Sequence, residues 1–293
     1  MEIKYEQGRY VAYDNGVAVA SATSKYYLKQ KIDRMSVKFV PAAAPGEVSR
    51  ALQFPINQRF EFVSRLVKMV GNRSTASAVI VGDGGLGKTH TVISALKDAG
   101  LRDISDVEPG STIQTSKMFR VVKGYSTAKG LFKILYENRN SVIVFDDCDS
   151  ILKDDDAVNL LKGALDTYDK RLITWNTSFD NDNLPRMFEF TGGVIFISNR
   201  PMAKIDQALR TRSMCIDVTM TLEQKLDRME VIMNSATFLP DVSNTYKRDA
   251  LNLIRKHVEQ AREVSLRTLI AITKIRAQND SDWEDLATYS LIA

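Results

Sequence analysis

The chain has only two cysteines, Cys148 and Cys215, and two histidines, His90 and His257, in 293 residues. Each cysteine stands beside apolar residues, so the two read as buried thiols in a reducing compartment rather than as a disulfide framework. With thiols and imidazoles this sparse, the sequence has no metal-ligand cluster. No apolar run approaches the roughly 18 residues of a membrane span. Met1-Glu2-Ile3-Lys4 is no signal peptide, so a cytoplasmic protein is expected. Internal repeats and low-complexity tracts are missing as well. What remains is ordinary globular composition, 44% hydrophobic and 26% charged, enough for one large core and a smaller domain. The formal net charge is +4 and the pI about 8.9. That balance permits nucleic-acid contact without demanding it.

Against this background one stretch stands out, Gly82-Asp83-Gly84-Gly85-Leu86-Gly87-Lys88-Thr89. It has the spacing Gly, four residues, Gly-Lys-Thr. Ser77 to Val81 before it reads as a buried strand, and Thr89 to Ala99 after it reads as a helix closed by Gly100. Glycines let successive N–H groups curl toward one anion, and the helix presents its positive N-terminal end to the same point. Lys88 would reach the β- and γ-phosphates of a nucleotide, and the Thr89 hydroxyl would ligate Mg²⁺. His90 follows directly and is counted with the loop as a nucleotide-binding candidate.

Residues 1–40 read as a separate ββα module. Gly8 to Tyr13 and Val17 to Ser21 are strand-like around the turn Asp14-Asn15-Gly16. Ser24 to Met35 then reads as a helix with a lysine-rich back, suited either to nucleic acid or to plain solvation on a protein-docking module. Residues 41–54 are a linker, opened by Pro41-Ala42-Ala43-Ala44-Pro45-Gly46. Asn57 to Val70 has helical spacing. Ser141 to Asp149 is the second landmark, four apolar residues ending in acid, as a buried parallel strand reads when it delivers carboxylates to the sheet edge. Asp146 is placed to hold Mg²⁺, and Asp147 to orient or deprotonate an attacking water. Asp149 reads as a helix cap. Arg171 to Thr177 and Met187 to Thr191 read as a hairpin whose tip carries Asp180 and Asp182. Val194 to Ser198 is a further buried strand ending on Asn199. A short helix, Ile205 to Leu209, precedes Arg210-Thr211-Arg212 and a strand from Cys215 to Val218. Beyond Thr221 the chain reads as helices at 222–235, 245–264 and 266–278, then a terminal helix with Trp283 and Leu286 in its core.

This order of features resembles an AAA+ ATPase over roughly residues 55–293. Gly82 to Thr89 matches Walker A, Asp146-Asp147 Walker B, and Asn199 sensor 1. Arg210 or Arg212 matches the arginine finger, and Arg267 resembles sensor 2. In wording (F-D-D-C-D-S, F-I-S-N) the chain is similar to bacteriophage-encoded members. The resemblance implies an α/β fold: a parallel sheet sandwiched by helices in a nucleotide-binding core at 55–220, with a helical C-terminal lid at 221–293. It also implies ATP and Mg²⁺, a homo-oligomeric (hexameric) ring, and the host cytoplasm for a phage-encoded chain. Asp147 departs from the family's usual Asp-Glu and shortens the acid by one methylene, about 1.5 Å. The acidic hairpin tip is a poor partner for phosphates, which leaves Lys123, Tyr125 and Lys129 as candidate pore contacts. Three kinds of work stay open: a motor or loader on DNA, a remodeller with a protein client docked on residues 1–40, and a slow nucleotide-gated scaffold.

Overall fold

The computed structural model describes residues 2–6, 9–14, 17–22, 53–107, 114–124, 126–166, 170–175, 184–278 and 281–293. The chain divides into two compact units, 1–53 and 54–293. In the first, β1 (Glu2–Glu6), β2 (Arg9–Asp14) and β3 (Val17–Ala22) form an antiparallel sheet in that order. The expected hairpin is β2–β3, with Asp14 opposite Val17. The strand β1 was not expected, because Glu2-Ile3-Lys4-Tyr5-Glu6 carries more charge than a strand usually shows. The expected basic helix at 24–35, the 41–46 linker and the Asn15-Gly16 turn lie outside the described residues.

The second unit is built on a six-stranded parallel sheet. Its strands are β4 (Ser77–Val81), β5 (Arg102–Asp103), β6 (Met118–Lys123), β7 (Val142–Asp146), β10 (Gly193–Ser198) and β11 (Met214–Asp217), in the spatial order β11-β4-β10-β7-β6-β5. Three central strands are buried along their whole length, which is why they read as unbroken apolar runs. Alternation still sorts their side chains. Val79, Val81, Ile143, Phe145, Val194 and Phe196 face one core with α3 (Ala128–Glu137) and α4 (Asp155–Ala164). Ala78, Ile80, Val142, Val144, Ile195 and Ile197 face the other with α1 (Ile56–Gly71) and α2 (Lys88–Asp98). Helices thus cover both faces of the sheet. Because every strand runs the same way, the ends of β4, β6, β7 and β10 share one edge.

The predicted hairpin is present as β8 (Leu172–Thr174) against β9 (Met187–Glu189). Phe188 packs edge-on against Phe132 and Tyr136 of α3. The acidic tip with Asp180 and Asp182 lies outside the described residues. A third core belongs to the lid, formed by α6 (Leu222–Met233), α7 (Asn244–Lys256), α8 (Leu266–Ala277) and α9 (Trp283–Ile292).

Several local expectations need correction. The helix expected over 245–264 stops at Lys256, and the stretch up to the start of α8 makes bonds to partners distant in the chain. Arg262 N–H donates to Leu291 O and Leu266 N–H to Gly85 O. Ser265 then caps α8 by accepting from Thr268 N–H. The edge strand β5 has only two residues and no apolar pattern to announce it. α3 begins at Ala128, capped by the Thr127 side chain, so Lys129 is helical. Arg210, Thr211 and Arg212 lie inside α5 (Gln207–Arg212), not after it. On α9 the inward seam is Ala287 and Leu291 with half-buried Trp283, at spacing four; Leu286 falls off that seam and is 55% exposed. Cys148 is buried as expected, but Cys215 on the sheet's edge strand is exposed.

Candidate functional site

Β4 ends in the loop 82–87, where Gly82, Gly85 and Gly87 all have positive φ. Gly82 has φ +149° and runs so close to the chain after β11 that a Cβ would sit 2.8 Å from the Val218 carbonyl carbon. Gly85 has φ +72°, and a Cβ there would meet Ser265 Cβ at 3.0 Å. Only glycine serves at both places. The loop closes around the Lys88 side chain. Its Nζ donates to Gly82 O at 2.7 Å, Asp83 O at 2.6 Å and Asn199 Oδ1 at 2.8 Å. Lys88 is 5% exposed. Burial draws its pKa below the usual lysine value. Asp147, Asp83 and Asp146 oppose that, and Arg267 adds to it. An ammonium held by neutral oxygens and deprived of water is a strong electrostatic partner for an anion entering the loop.

The acids arrive from β7. Parallel pairing sets Asp146 beside Ile197 on one neighbour and beside Lys123 on the other. Asp146 is buried; its Oδ1 accepts from Thr89 Oγ1 at 2.9 Å, and its Oδ2 lies 3.2 Å from Lys123 Nζ. Asp147 leaves the strand in the left-handed region, φ +55°, with its N–H on Ile197 O at 3.2 Å. That turn exposes its carboxylate, and Oδ1 accepts from Asn199 Nδ2 at 2.7 Å. Asn199 therefore joins Lys88 to Asp147, amide oxygen to ammonium and amide nitrogen to carboxylate.

These groups line a cleft of about 220 Å³. Gly84, Gly85, Gly87, His90, Arg267 and Ile270 share its walls. The lid meets the loop directly, through Leu266 N–H to Gly85 O at 2.8 Å and Lys225 Nζ to Asp83 Oδ2 at 2.9 Å. Asp83 thus faces the lid, and Leu86 is buried in the core beneath the loop. Arg210 and Arg212 are not among the residues that line this cleft; Arg212 Nη1 donates to Ala208 O at 3.2 Å within its own helix.

Two placements differ from expectation. Lys123, read as a pore contact, sits on Asp146; Tyr125 is outside the described residues. Asp149 caps no helix. Its Oδ1 accepts from Ser198 Oγ at 2.7 Å and its Oδ2 lies 3.2 Å from Arg200 Nε, while Asp154 caps α4. Lys225, Ser198 and Arg200 carried no signal in the sequence, because each is defined by a partner distant along the chain. Among the described residues, no group of three or more acids, histidines or cysteines makes a metal cluster, and no helix is long and apolar enough to cross a membrane.

A glycine-rich loop over a buried lysine, with strand-end carboxylates on the same edge of a parallel sheet, defines a phosphate-loop nucleotide-binding protein. The chain belongs to the ATPase family associated with various cellular activities (AAA), whose model matches residues 78–224. It is an ATP hydrolase. It is similar to an uncharacterised 36.7 kDa protein of the nrdC–mobD intergenic region of Enterobacteria phage T4, 31% identical over 253 residues that cover 80% of this chain and 73% of the relative. Among solved structures it is similar to C. elegans PCH-2, at 12% identity and a TM-score of 0.41 over 81% of this chain and 67% of that one.

Proposed function

We propose that ATP is hydrolysed in this cleft at the interfaces of a homo-oligomeric ring, and that the ring works on DNA. The observation that carries the chemistry is the chain of contacts Lys88–Asn199–Asp147 beside the separate pair Thr89–Asp146. It divides the two acids between two tasks. Asp146, buried and already paired with a hydroxyl, suits a metal; Asp147, exposed and oriented by an amide, suits a water.

The loop N–H groups of Gly84 to Lys88 bind the phosphates, and the Lys88 ammonium leaves the carbonyls of Gly82 and Asp83 for phosphate oxygens. Thr89 and Asp146 are the residues that would hold Mg²⁺, which when bound supplies charge neutralisation between the phosphates. Asp147 takes the proton of the attacking water, and Asn199 keeps its carboxylate turned toward that water. Arg267 reaches the γ-phosphate from the lid. Arg212, with Arg210 as its alternate, is offered to the neighbouring subunit, which accounts for its position away from its own cleft; such an arginine is worth on the order of 10³–10⁵ in rate in other phosphate-loop enzymes. Six copies make the ring. Residues 1–40 act as an accessory module on the 41–54 linker, 55–220 as the core and 221–293 as the lid, and the work takes place in a host cytoplasm.

One feature supports DNA as the substrate, the basic balance of the chain, with a formal net charge of +4 and a pI of about 8.9. The test is ATP turnover with and without single-stranded DNA, with Lys88→Ala as the blank. A several-fold rise with DNA is expected. Turnover that ignores DNA would overturn the DNA assignment and direct the search to a protein client of residues 1–40.

A further inference from the structure

Asp147 and Asn199 sit at the ends of two adjacent strands, and one hydrogen bond between two exposed side chains is a weak way to fix a reacting carboxylate. A second tie lies directly behind it. Asn199 is bracketed in the chain by Ser198 and Arg200, and both bind Asp149, two residues past Asp147. Ser198 Oγ donates to Asp149 Oδ1 at 2.7 Å, Arg200 Nε lies 3.2 Å from Asp149 Oδ2, and Arg200 N–H donates back to Ser198 Oγ at 3.0 Å. Ser198 is buried, and the Asp149 and Arg200 side chains are each under a third exposed. A closed ring with two charge-assisted bonds to Asp149 at this depth is stiffer than a solvent ion pair. On the far side of the same turn, buried Cys148 directs its thiol to Val122 O of β6 at 3.3 Å.

The turn needs such bracing. Asp147 is one of three described non-glycine residues with positive φ, a conformation that side chains adopt at a cost and that surrounding structure must enforce. Neither Asp149 nor Arg200 lines the cleft, and the Arg200 guanidinium is already engaged by Asp149.

We propose that Asp149, Ser198 and Arg200 are positioning residues, a clamp between the exits of β7 and β10 that sets Asp147 against Asn199. The inference rests on the reading of Asp147 as the water-activating carboxylate. The clamp adds nothing to ATP binding and acts only through the geometry of Asp147.

The experiment measures kcat and KM for ATP on the full chain for Asp147→Asn, Arg200→Met and the double variant, with Arg200→Lys as the conservative replacement. Arg200→Met should lower kcat on the order of 10- to 100-fold, the scale of a small misplacement of a reacting group, while KM stays within about twofold. Arg200→Lys should recover part of the loss. The double variant should be no slower than Asp147→Asn alone, because both changes act on one group. If Arg200→Met does not fold, Ser198→Ala carries the same comparison. A clamp variant at the wild-type rate, one that changes KM alone, or losses that multiply in the double variant would each overturn the clamp and leave Asp147 standing. A wild-type rate for Asp147→Asn would instead overturn the Asp147 reading, and the clamp with it.

Discussion

At the residue scale, Asp147 has a physical reason to be the shorter acid. Its left-handed backbone is tolerated by Asp and Asn, whose short polar side chains bond locally, better than by longer residues. Its carboxylate already reaches Asn199 at 2.7 Å. Restoring the family's longer acid with Asp147→Glu should therefore lower turnover, on the order of tenfold, by carrying the carboxylate past its partner. Steady-state hydrolysis checks this, and an unchanged or faster rate would show that the turn adapts. The cysteines give a second prediction. Burial pushes the Cys148 thiol up to about 11, and the surrounding aspartates add to that. Cys215 is exposed on the sheet edge. Iodoacetamide at about pH 8 should label Cys215 first and leave Cys148 intact in the folded protein; peptide mass spectrometry showing equal labelling would contradict the packing around Cys148.

Elements were legible where the signal is local. The four apolar residues Ala78–Val81, a glycine loop and Lys-Thr identify β4, its turn and α2 without any tertiary information, and Phe145-Asp146-Asp147 marks the end of β7 in the same way. Legibility failed where a distant partner decides. Residues 257–265 keep helical spacing, yet Arg262 N–H goes to Leu291 O, and Leu266 N–H at the start of α8 goes to Gly85 O. Asp149 looks like a cap until Ser198 and Arg200 are placed beside it. The joint between core and lid belongs to this second kind. Arg59 of α1 is 2% exposed; its Nη1 donates to Asp217 O and Thr219 O, and its Nη2 to Gln224 Oε1 of the α6 capping box. Arg59→Ala would strand those acceptors and should cost on the order of 2–3 kcal/mol. Calorimetry should show a lower Tm and a lid transition separating from that of the core; an unshifted single transition would mean that the joint is held elsewhere.

For the whole molecule, the parallel sheet gathers four chemically distinct segments at one edge, and the lid closes over them through Leu266 and Lys225. Arg210 and Arg212 stand apart from that gathering, and in the proposed ring they serve a neighbouring copy. The most direct test pairs two variants that fail for different reasons. Asp147→Asn disables a subunit's own cleft, and Arg212→Ala disables what it offers its neighbour; Arg210→Ala is run in parallel. Each alone should hydrolyse ATP far more slowly than wild type. Mixed in equal amounts and allowed to reassemble, they should recover roughly a quarter of the wild-type rate, since random neighbours complete about one interface in four. A mixture no faster than the two variants measured separately would contradict hydrolysis between subunits.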